Sequence, residues 1–229
     1  MNPEGIAGSV KQGAQVMSTE TTLTRSDLKR RSIVEAATRL FLEQGYQGTS
    51  MDEIAAAAEV SKQTVYKQFH DKDQLFTNIV LGITERADVI AAALQARFDE
   101  VIDLEPDLIV IAVGYATGVV GLDVIRLRRL VIAEADRFPD LAATYFNQAP
   151  QRGLTAVADG LSSLVERGLL DIDDLELASI QFAYLVLGPL IDRALFLPRE
   201  AITAEQIQRF ATSGVRAFLR ANPPRLPTG

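Results

Sequence analysis

The sequence predicts an all-α protein of about nine helices, divided into a small front unit and a larger rear one. Three observations carry this prediction. Apolar residues recur at spacings of three and four along most of the chain, which is the period of an amphipathic helix. Capping residues stand where several of these stretches begin. No segment alternates polar and apolar residues long enough for a convincing strand, and no internal repeat is visible.

The composition excludes several classes of function. The chain has no cysteine and a single histidine, His70, so disulfides, thiolate catalysis and multi-histidine metal sites are excluded. We predict no cofactor and no metal. The N-terminal residues contain no apolar run that could serve as a signal peptide, and a cytoplasmic protein is expected. The uncharged stretch at 108–122 is shorter than the ~20 residues that a membrane span needs, and it predicts a buried helix of a protein outside the membrane.

The charge is unevenly distributed. The chain carries a formal charge of -7, but residues 1–76 hold nine basic and ten acidic side chains, a net of -1. No lysine follows Lys72. Because a polyanion responds to the local field of the face it meets, an acidic total does not exclude a nucleic-acid partner for the front unit. Two basic clusters are available there: one at 25–31, the other made of Lys62, Lys67 and Lys72.

The first helices can be placed from spacing and caps. Residues 1–24 show no hydrophobic period and predict a flexible arm, in which Met17 could be an alternative start. The next apolar face ends near Gly45, which predicts the end of helix one. Ser50 with Glu53 forms a predicted capping box that opens a short second helix. Ser61 is expected to cap a third helix from Lys62 to Phe69.

The later helices follow the same logic. Asp71 with Gln74 predicts a capping box for a long fourth helix of about 25 residues, ~38 Å long. Pro106 and Pro139 suit first turns of helices. Asp173 and Asp174 suit an N-cap region, and because neighbouring residues of a helix project about 100° apart, they do not form a catalytic pair. The last two long helices are expected at about 175–195 and 204–220.

The second and third helices have the pattern of a helix-turn-helix. Val65 and Phe69 form the buried face of the third helix. Its outward face offers donors and acceptors suited to base edges or phosphates, and Tyr66 at its edge adds a hydroxyl. The free N–H groups at helix starts near Ser50 and Ser61 suit phosphates, and so does Lys72 in the first turn of helix four. His70 is expected to cap or solvate the turn, with DNA contact as the lesser alternative. The predicted DNA-binding residues are Ser50, Ser61, Lys62, Gln63, Thr64, Tyr66, Lys67, His70 and Lys72.

Residues 33–76, "IVEAATRLFLEQGYQGTSMDEIAAAAEVSKQTVYKQFHDKDQLF", resemble the N-terminal domain of the TetR/AcrR family of bacterial transcriptional regulators. The resemblance implies base-reading roles for Lys62, Gln63, Thr64 and Lys67, and phosphate-binding roles for Ser50, Tyr66 and Lys72. It implies a helix-turn-helix domain at 25–72, a ligand-binding and dimerisation domain at 73–222 and a tail at 223–229. One residue departs from the family pattern. Glu59 stands where the family has glycine in a left-handed turn, which predicts strain of about 1 kcal/mol.

The rear unit is less diagnostic. Residues 127–146 look like the AefR-like branch of the family, which implies a chamber for a small molecule and a homodimer through the last two long helices. Candidate ligand-binding residues are Phe98, Tyr115, Arg128, Phe138, Tyr145 and Phe182, and each aromatic could equally be plain core. Arg126, Arg128 and Arg129 could form an anion site or a solvated stripe paired with Asp123 and Glu134.

The function predicted from these features is a sequence-specific DNA-binding regulator, a repressor released by a small molecule. A ligand packing against the fourth helix would change the separation of two third helices in a dimer. The alternative is a helical ligand-binding or adaptor protein without operator binding, which leaves the outward face of the third helix unexplained. An enzyme is not expected, because no nucleophile–base pair or phosphate loop is visible.

Overall fold

The computed structural model describes residues 24–84 and 86–223, and within these ranges it contains eleven α-helices and no strand. The all-α prediction is confirmed. The predicted long fourth helix is described as two helices, α4 (Lys72–Thr84) and α5 (Arg86–Asp99), which flank residue 85. Further along the chain, α8 (Pro139–Gln148) and α9 (Pro150–Glu166) are separated by Ala149. Apart from Thr24 and Pro223, the predicted arm, with Met17, and the predicted tail lie outside the described residues.

The front helices begin and end where their local signals predict. α1 (Arg25–Gln44) stops at Gly45, whose φ of 78° suits a residue without a Cβ. α2 (Met51–Ala57) starts with the predicted capping box, since the Ser50 hydroxyl accepts from the Glu53 amide at 3.2 Å and the Glu53 carboxylate accepts from the Ser50 amide at 2.8 Å. Thr24 and Asp27 form a further capping box at α1 that was not predicted.

The third and fourth helices differ slightly from the predictions. α3 (Lys62–Gln68) ends one residue early, because Phe69 adopts an extended backbone (φ -136°, ψ 117°) and serves as its C-cap. The Asp71 carboxylate accepts from the Gln74 amide at 2.7 Å, as a cap should. The Gln74 side chain, however, accepts from the His70 amide at 2.8 Å rather than from Asp71, so the predicted capping box closes one residue further back.

The rear helices are α6 (Leu104–Val119), α7 (Leu122–Ala133), α8, α9, α10 (Leu175–Phe196) and α11 (Ala204–Ala221). Pro139 and Pro150 stand at the first positions of α8 and α9, where a missing N–H costs nothing. Asp174 caps α10 by accepting from the Leu177 amide at 2.9 Å, which confirms the reading of this acidic pair as an N-cap region.

Two hydrophobic cores organise the molecule. The rear core is built from α5, α6, α9, α10 and α11, and it includes Phe98, Phe182 and Phe218. The front core contains the inward faces of α1 to α4 together with Leu127 of α7 and Tyr145 of α8. The front core therefore reaches beyond the reading unit, which consists of α1 to α3, and α7 and α8 are packed against it. The domain boundary at residue 72 stays a prediction.

One helix of the described residues, α10, is long and apolar enough to cross a membrane. The uncharged stretch at 108–122 lies mainly in α6, which reaches the same criterion only together with α7, across a bend of 55°. α6 buries Leu108, Ile111 and Tyr115, as the predicted core helix should. α10 likewise packs against α6, α9 and α11, and both have the contacts of core helices.

Candidate nucleic-acid interface and effector cavity

The turn between α2 and α3 contains a residue with a strained backbone conformation. Glu59 has a φ of 55°, and it is the one non-glycine residue with positive φ in the described part of the chain. Its amide donates to Ala56 O at 3.2 Å, and the Val60 amide donates to Ala55 O at 3.0 Å, so the tight reversal is closed by backbone hydrogen bonds. The position that the sequence singled out is therefore in the left-handed region, where a side chain costs about 1 kcal/mol.

α3 is divided into a buried and an exposed face. Val65 is fully buried, and Phe69 beside the end of the helix is 1% exposed. Lys62, Gln63, Tyr66 and Lys67 are exposed, and Thr64 is half-buried. Because one face of α3 anchors it to the front core, the other face is free to enter a groove.

Among the side chains predicted to contact DNA on α3, Lys62 and Thr64 already have polar partners. Lys62 Nζ lies 2.7 Å from an Asp52 carboxylate oxygen on α2, and this hydrogen bond raises the pKa of Lys62. The Ser61 hydroxyl accepts from the Thr64 amide at 3.2 Å and lies 2.8 Å from the Thr64 hydroxyl. Gln63 and Lys67 make no side-chain hydrogen bond or ion pair to a described residue. The face thus offers one restrained cation, Lys62, and one unrestrained cation, Lys67.

The predicted residues outside α3 are placed differently from one another. Ser50 is exposed at the start of α2, and its hydroxyl lies 2.8 Å from Glu53. The His70 side chain is exposed in the turn before α4. Lys72 is half-buried, and its Nζ donates to Tyr46 O and Thr49 O at 2.9 Å each. Burial, and secondarily the charge of Arg137, lowers the pKa of Lys72. Lys72 therefore ties α4 to the loop between α1 and α2.

A polar and aromatic junction joins the front core to the turn between α7 and α8. Tyr46 donates its hydroxyl to Asp73, and burial of this phenol raises the pKa of Tyr46. Arg137 Nη2 lies 3.3 Å from the same carboxylate, and its guanidinium stands 4.8 Å from the centre of the Tyr46 ring. Phe138 packs edge-on against Tyr46 with ring centres 5.3 Å apart. The rear half is thus in direct contact with the front core through Arg137 and Phe138.

Arg30 of α1 packs against the end of α3, whereas the sequence showed it only as part of a basic cluster. Its guanidinium stands 4.4 Å from the centre of the Phe69 ring, and Nη1 donates to Gln68 O at 3.4 Å. The signal of a basic run was visible in the sequence, but its partner lies 38 residues away. Only the packing of α1 across α3 shows that Arg30 caps the carbonyl end of α3.

A cavity of about 1090 Å³ lies between the reading unit and the rear helices. It is lined by residues of α1 and of α4 to α10. Of the six residues predicted to bind a ligand, Tyr115, Arg128 and Tyr145 line it. The other three do not: Phe98 and Phe182 are fully buried in the rear core, and Phe138 packs against Tyr46 and Phe76.

The remaining wall is apolar and comes from helix faces that sequence reasoning did not assign. Ala91 and Leu94 of α5 and Leu187 and Ile191 of α10 are spaced at three or four residues, so a helical period was present in the sequence. That period predicts which face of a helix is buried. It does not predict whether the buried face lines a cavity or packs in the core. Asp123 and Glu134 pair with none of Arg126, Arg128 and Arg129 among the described residues, so the predicted ion-paired stripe on α7 was wrong.

α10 presents an apolar stripe to solvent. Leu177, Ile180 and Tyr184 repeat at helical spacing and are 51%, 36% and 69% exposed, which is unusual for side chains of this size. Tyr184 also lines the cavity. The described residues contain no cluster of three or more acidic or histidine side chains that could hold a metal ion.

Comparison with known proteins gives two matches that together cover most of the described chain. Residues 33–79 match the family described as bacterial regulatory proteins, tetR family. Residues 106–222 match the AefR-like transcriptional repressor, C-terminal domain. A solved structure from Mesorhizobium loti MAFF303099, described as a TetR-family transcriptional regulator, is 35% identical with a TM-score of 0.80, covering 87% of this chain and 99% of that one.

Two further proteins are similar to this chain. The flavonoid-responsive regulator FrrA is 30% identical with a TM-score of 0.62, and the likeness covers 86% of this chain and 98% of that one. The HTH-type transcriptional regulator AcrR of Shigella flexneri is 46% identical over 69 residues, which is 30% of this chain and 32% of AcrR. This chain spans about a third of the length of the first curated relatives that it matches.

Proposed function

Because the chain belongs to the TetR family of DNA-binding transcriptional regulators, which are not enzymes, we propose that it is a homodimeric repressor released from its operator by a small organic molecule. The repressor role is supported by the match of residues 106–222 to the AefR-like repressor domain. Release by a small molecule is supported by the cavity and by the likeness to a regulator described as flavonoid-responsive. A cytoplasmic location follows from this role.

The observation that carries the proposal is the two-faced α3. Val65 anchors it, and the exposed face has the chemistry of base-edge readout: Gln63 pairs with adenine, Lys67 donates to guanine or phosphate, and Thr64 contacts a thymine methyl. Lys62 is held by Asp52 at the edge of the same face. We propose that binding to the operator exchanges this exposed ion pair for a phosphate or base contact.

Phosphate binding is assigned to the residues around this face. The N–H groups at the starts of α2 and α3, near Ser50 and Ser61, suit phosphate oxygens, and Tyr66 adds an exposed hydroxyl. Lys72 contributes to the same field, although its ammonium already donates to two backbone carbonyls. His70 is exposed beside them and is kept as a secondary contact.

The dimer is proposed to form through α10 and α11. Leu177, Ile180 and Tyr184 on α10 form a stripe of exposed apolar side chains, and burying this stripe against a second copy would be favourable. Gly214 of α11 lies against the Leu185 carbonyl of α10, where a Cβ would come within 2.8 Å, so the two helices form one closely packed pair. Two such pairs would form a four-helix interface of the kind seen in bundles.

Release is proposed to run through α4 and α7, which both line the cavity. α4 follows the reading unit directly, and Lys72 and Asp73 in its first turn hold the loop after α1. α7 leads to Arg137 and Phe138, which contact Tyr46. A ligand that favours a different spacing of these helices would change the separation of the two α3 helices, which must match one turn of DNA, ~34 Å.

An operator titration tests the proposal. The full chain is titrated onto the DNA upstream of its own gene at several salt concentrations, beside unrelated DNA of the same length. We expect a specific shift, and we expect Tyr66→Phe combined with Lys72→Ala to weaken binding. The salt slope should fall by up to about one phosphate contact, because only Lys72 carries a charge. Asp159→Asn on α9 serves as a control at an exposed side chain away from the reading unit and from α10 and α11.

Two results would contradict parts of this proposal. An unchanged affinity and salt slope in the double variant would refute the phosphate roles of Tyr66 and Lys72. Absence of any specific shift from a folded protein would favour a helical ligand-binding or adaptor protein without operator binding.

A further inference from the structure

Arg128 is an unpaired cation on the wall of the cavity. It lies on α7 and lines the cavity, and it forms no ion pair with any other residue that the structure describes. Its Nε is shielded from solvent and has no hydrogen-bond partner within the same residues. A buried donor on a charged group is costly to leave unsatisfied, so a ligand that supplies an acceptor there gains more than it would at an exposed arginine.

Tyr115 supplies a second donor on the wall of the same cavity. The side chain is 6% exposed, it lines the cavity, and its hydroxyl makes no hydrogen bond to a described residue. Burial raises the pKa of Tyr115 to about 12, with the charge of Arg128 acting in the opposite direction, so the phenol keeps its proton at neutral pH. A Cβ at Gly153 would lie 2.9 Å from this hydroxyl, which shows that α9 backs the phenol closely.

The acidic side chains of the cavity wall are Glu35, Glu43 and Asp123, and all three are exposed to solvent. Glu35 is paired with Arg31 on α1 at 2.8 Å. The deeper wall is made of apolar side chains, including Ala91, Leu94 and Leu187. Exposed cations, Arg39 and Arg126, line the same wall, so exposed charges of both signs are present. No acid of the wall is sheltered, whereas Arg128 is, and this favours a ligand with an apolar body and an anionic end.

We propose that the effector is an amphipathic organic acid whose carboxylate is bound by Arg128 and the Tyr115 hydroxyl, with its apolar body against α5 and α10. This inference rests on the proposed function and adds the chemical class of the ligand. A cation would be repelled by Arg128, and a neutral molecule would leave its charge uncompensated. The volume of about 1090 Å³ suits a drug-sized molecule.

Isothermal titration of the full chain with matched probes tests the charge preference. One set is decanoate, decanol and decylamine, and the second is naphthylacetate, naphthylethanol and naphthylethylamine. We expect at least one carboxylate to bind about tenfold or more tightly than the alcohol and amine of the same body.

Variants then locate the carboxylate. Arg128→Gln is expected to weaken carboxylate binding about tenfold while leaving the alcohol nearly unchanged, and Tyr115→Phe to weaken it about fivefold. Arg129→Gln makes the same charge change one residue along α7, at a side chain that does not line the cavity, and it should behave as wild type. Circular dichroism confirms that each variant is folded.

The inference is overturned if neither carboxylate binds the folded protein, if alcohol or amine binds as well as acid, or if Arg128→Gln and Arg129→Gln behave alike. Operator titration on the same preparations separates this failure from that of the proposed function. If carboxylates bind through Arg128 but no specific DNA shift is seen, the proposed repressor function is refuted and the ligand assignment is retained. A specific shift that only the alcohols or amines release would refute the ligand assignment alone.

Discussion

α3 and α7 carry basic side chains in opposite settings. On α3, Lys62 and Lys67 are exposed, and an exposed acid, Asp52, holds one of them. On α7, Arg128 lines a cavity with its Nε shielded and without a partner in the described part of the chain. Exposed cations suit a large polyanion whose counterions they displace. A sheltered cation suits a single small anion, because the local dielectric makes one contact count for more.

The two halves also differ in how they are held together. The reading unit is closed by local devices, namely capping boxes and a left-handed turn. The rear half depends on close packing between helices far apart in sequence, such as Gly160 of α9 against Phe98 of α5. Substitutions that affect either the local turns and caps or the packing between helices, but not both, can therefore test this contrast.

The largest effect is expected at Gly160. A Cβ there would lie 2.2 Å from the Phe98 ring, which is fully buried and cannot move aside. We expect Gly160→Ala to lower the free energy of unfolding in urea by about 1–3 kcal/mol through overpacking. Gly114→Ala on α6 is the control, because no atom lies within 4 Å of its Cβ, and it should stabilise the protein by up to about 1 kcal/mol. Equal stability of the two variants would contradict the claim that the rear half depends on close packing between its helices.

Arg137 tests the junction between the halves. Arg137→Gln removes an ion pair with Asp73 and the contact with the Tyr46 ring, and we expect it to lower the free energy of unfolding by about 1 kcal/mol. The control is Arg152→Gln, which breaks an exposed ion pair with Asp88 between α5 and α9, away from the reading unit. Urea denaturation measures both. If the losses are the same, the aromatic contact adds nothing and the junction is an ordinary surface pair.

Glu59 tests the local strain of the reading unit. Glu59→Gly removes the cost of a side chain at a φ of 55°, so we expect a gain of up to about 1 kcal/mol in the free energy of unfolding. Glu59→Gln removes the charge and keeps the backbone strain. A gain in the glutamine variant equal to that of the glycine variant would assign the effect to charge, contrary to the expectation.

The smallest effect is expected at Asp52. Asp52→Asn removes an acid from the edge of the reading unit and frees Lys62, so operator affinity should rise about two- to threefold, with a steeper salt dependence. Fluorescence anisotropy with labelled operator DNA measures this change. Unchanged affinity would mean that the edge formed by α2 and α3 does not face the duplex.

Much of the reading unit could be predicted because its determinants are close in sequence. A cap and its partner are three residues apart, so the Ser50–Glu53 box and the Ser61 cap can be recognised in the sequence. The left-handed position of Glu59 was expected from the resemblance to the family, which has glycine there. The Gln74 contact was misplaced by one residue, because two neighbouring amides, His70 and Asp71, compete for the same side chain.

The sequence by itself determined the helical class, the starts of most helices and the two faces of α3, since helix period and caps are properties of short stretches. Tertiary structure alone decided which aromatics are core and which line the cavity, because Phe98, Phe182 and Tyr115 carry the same local pattern and differ only in what packs over them. It also decided that Arg128 is sheltered and without a partner in the described chain, while Lys72 is tied to a loop 23 and 26 residues away. The environment of a charge depends on contacts across the chain, and no spacing in the sequence encodes those contacts directly.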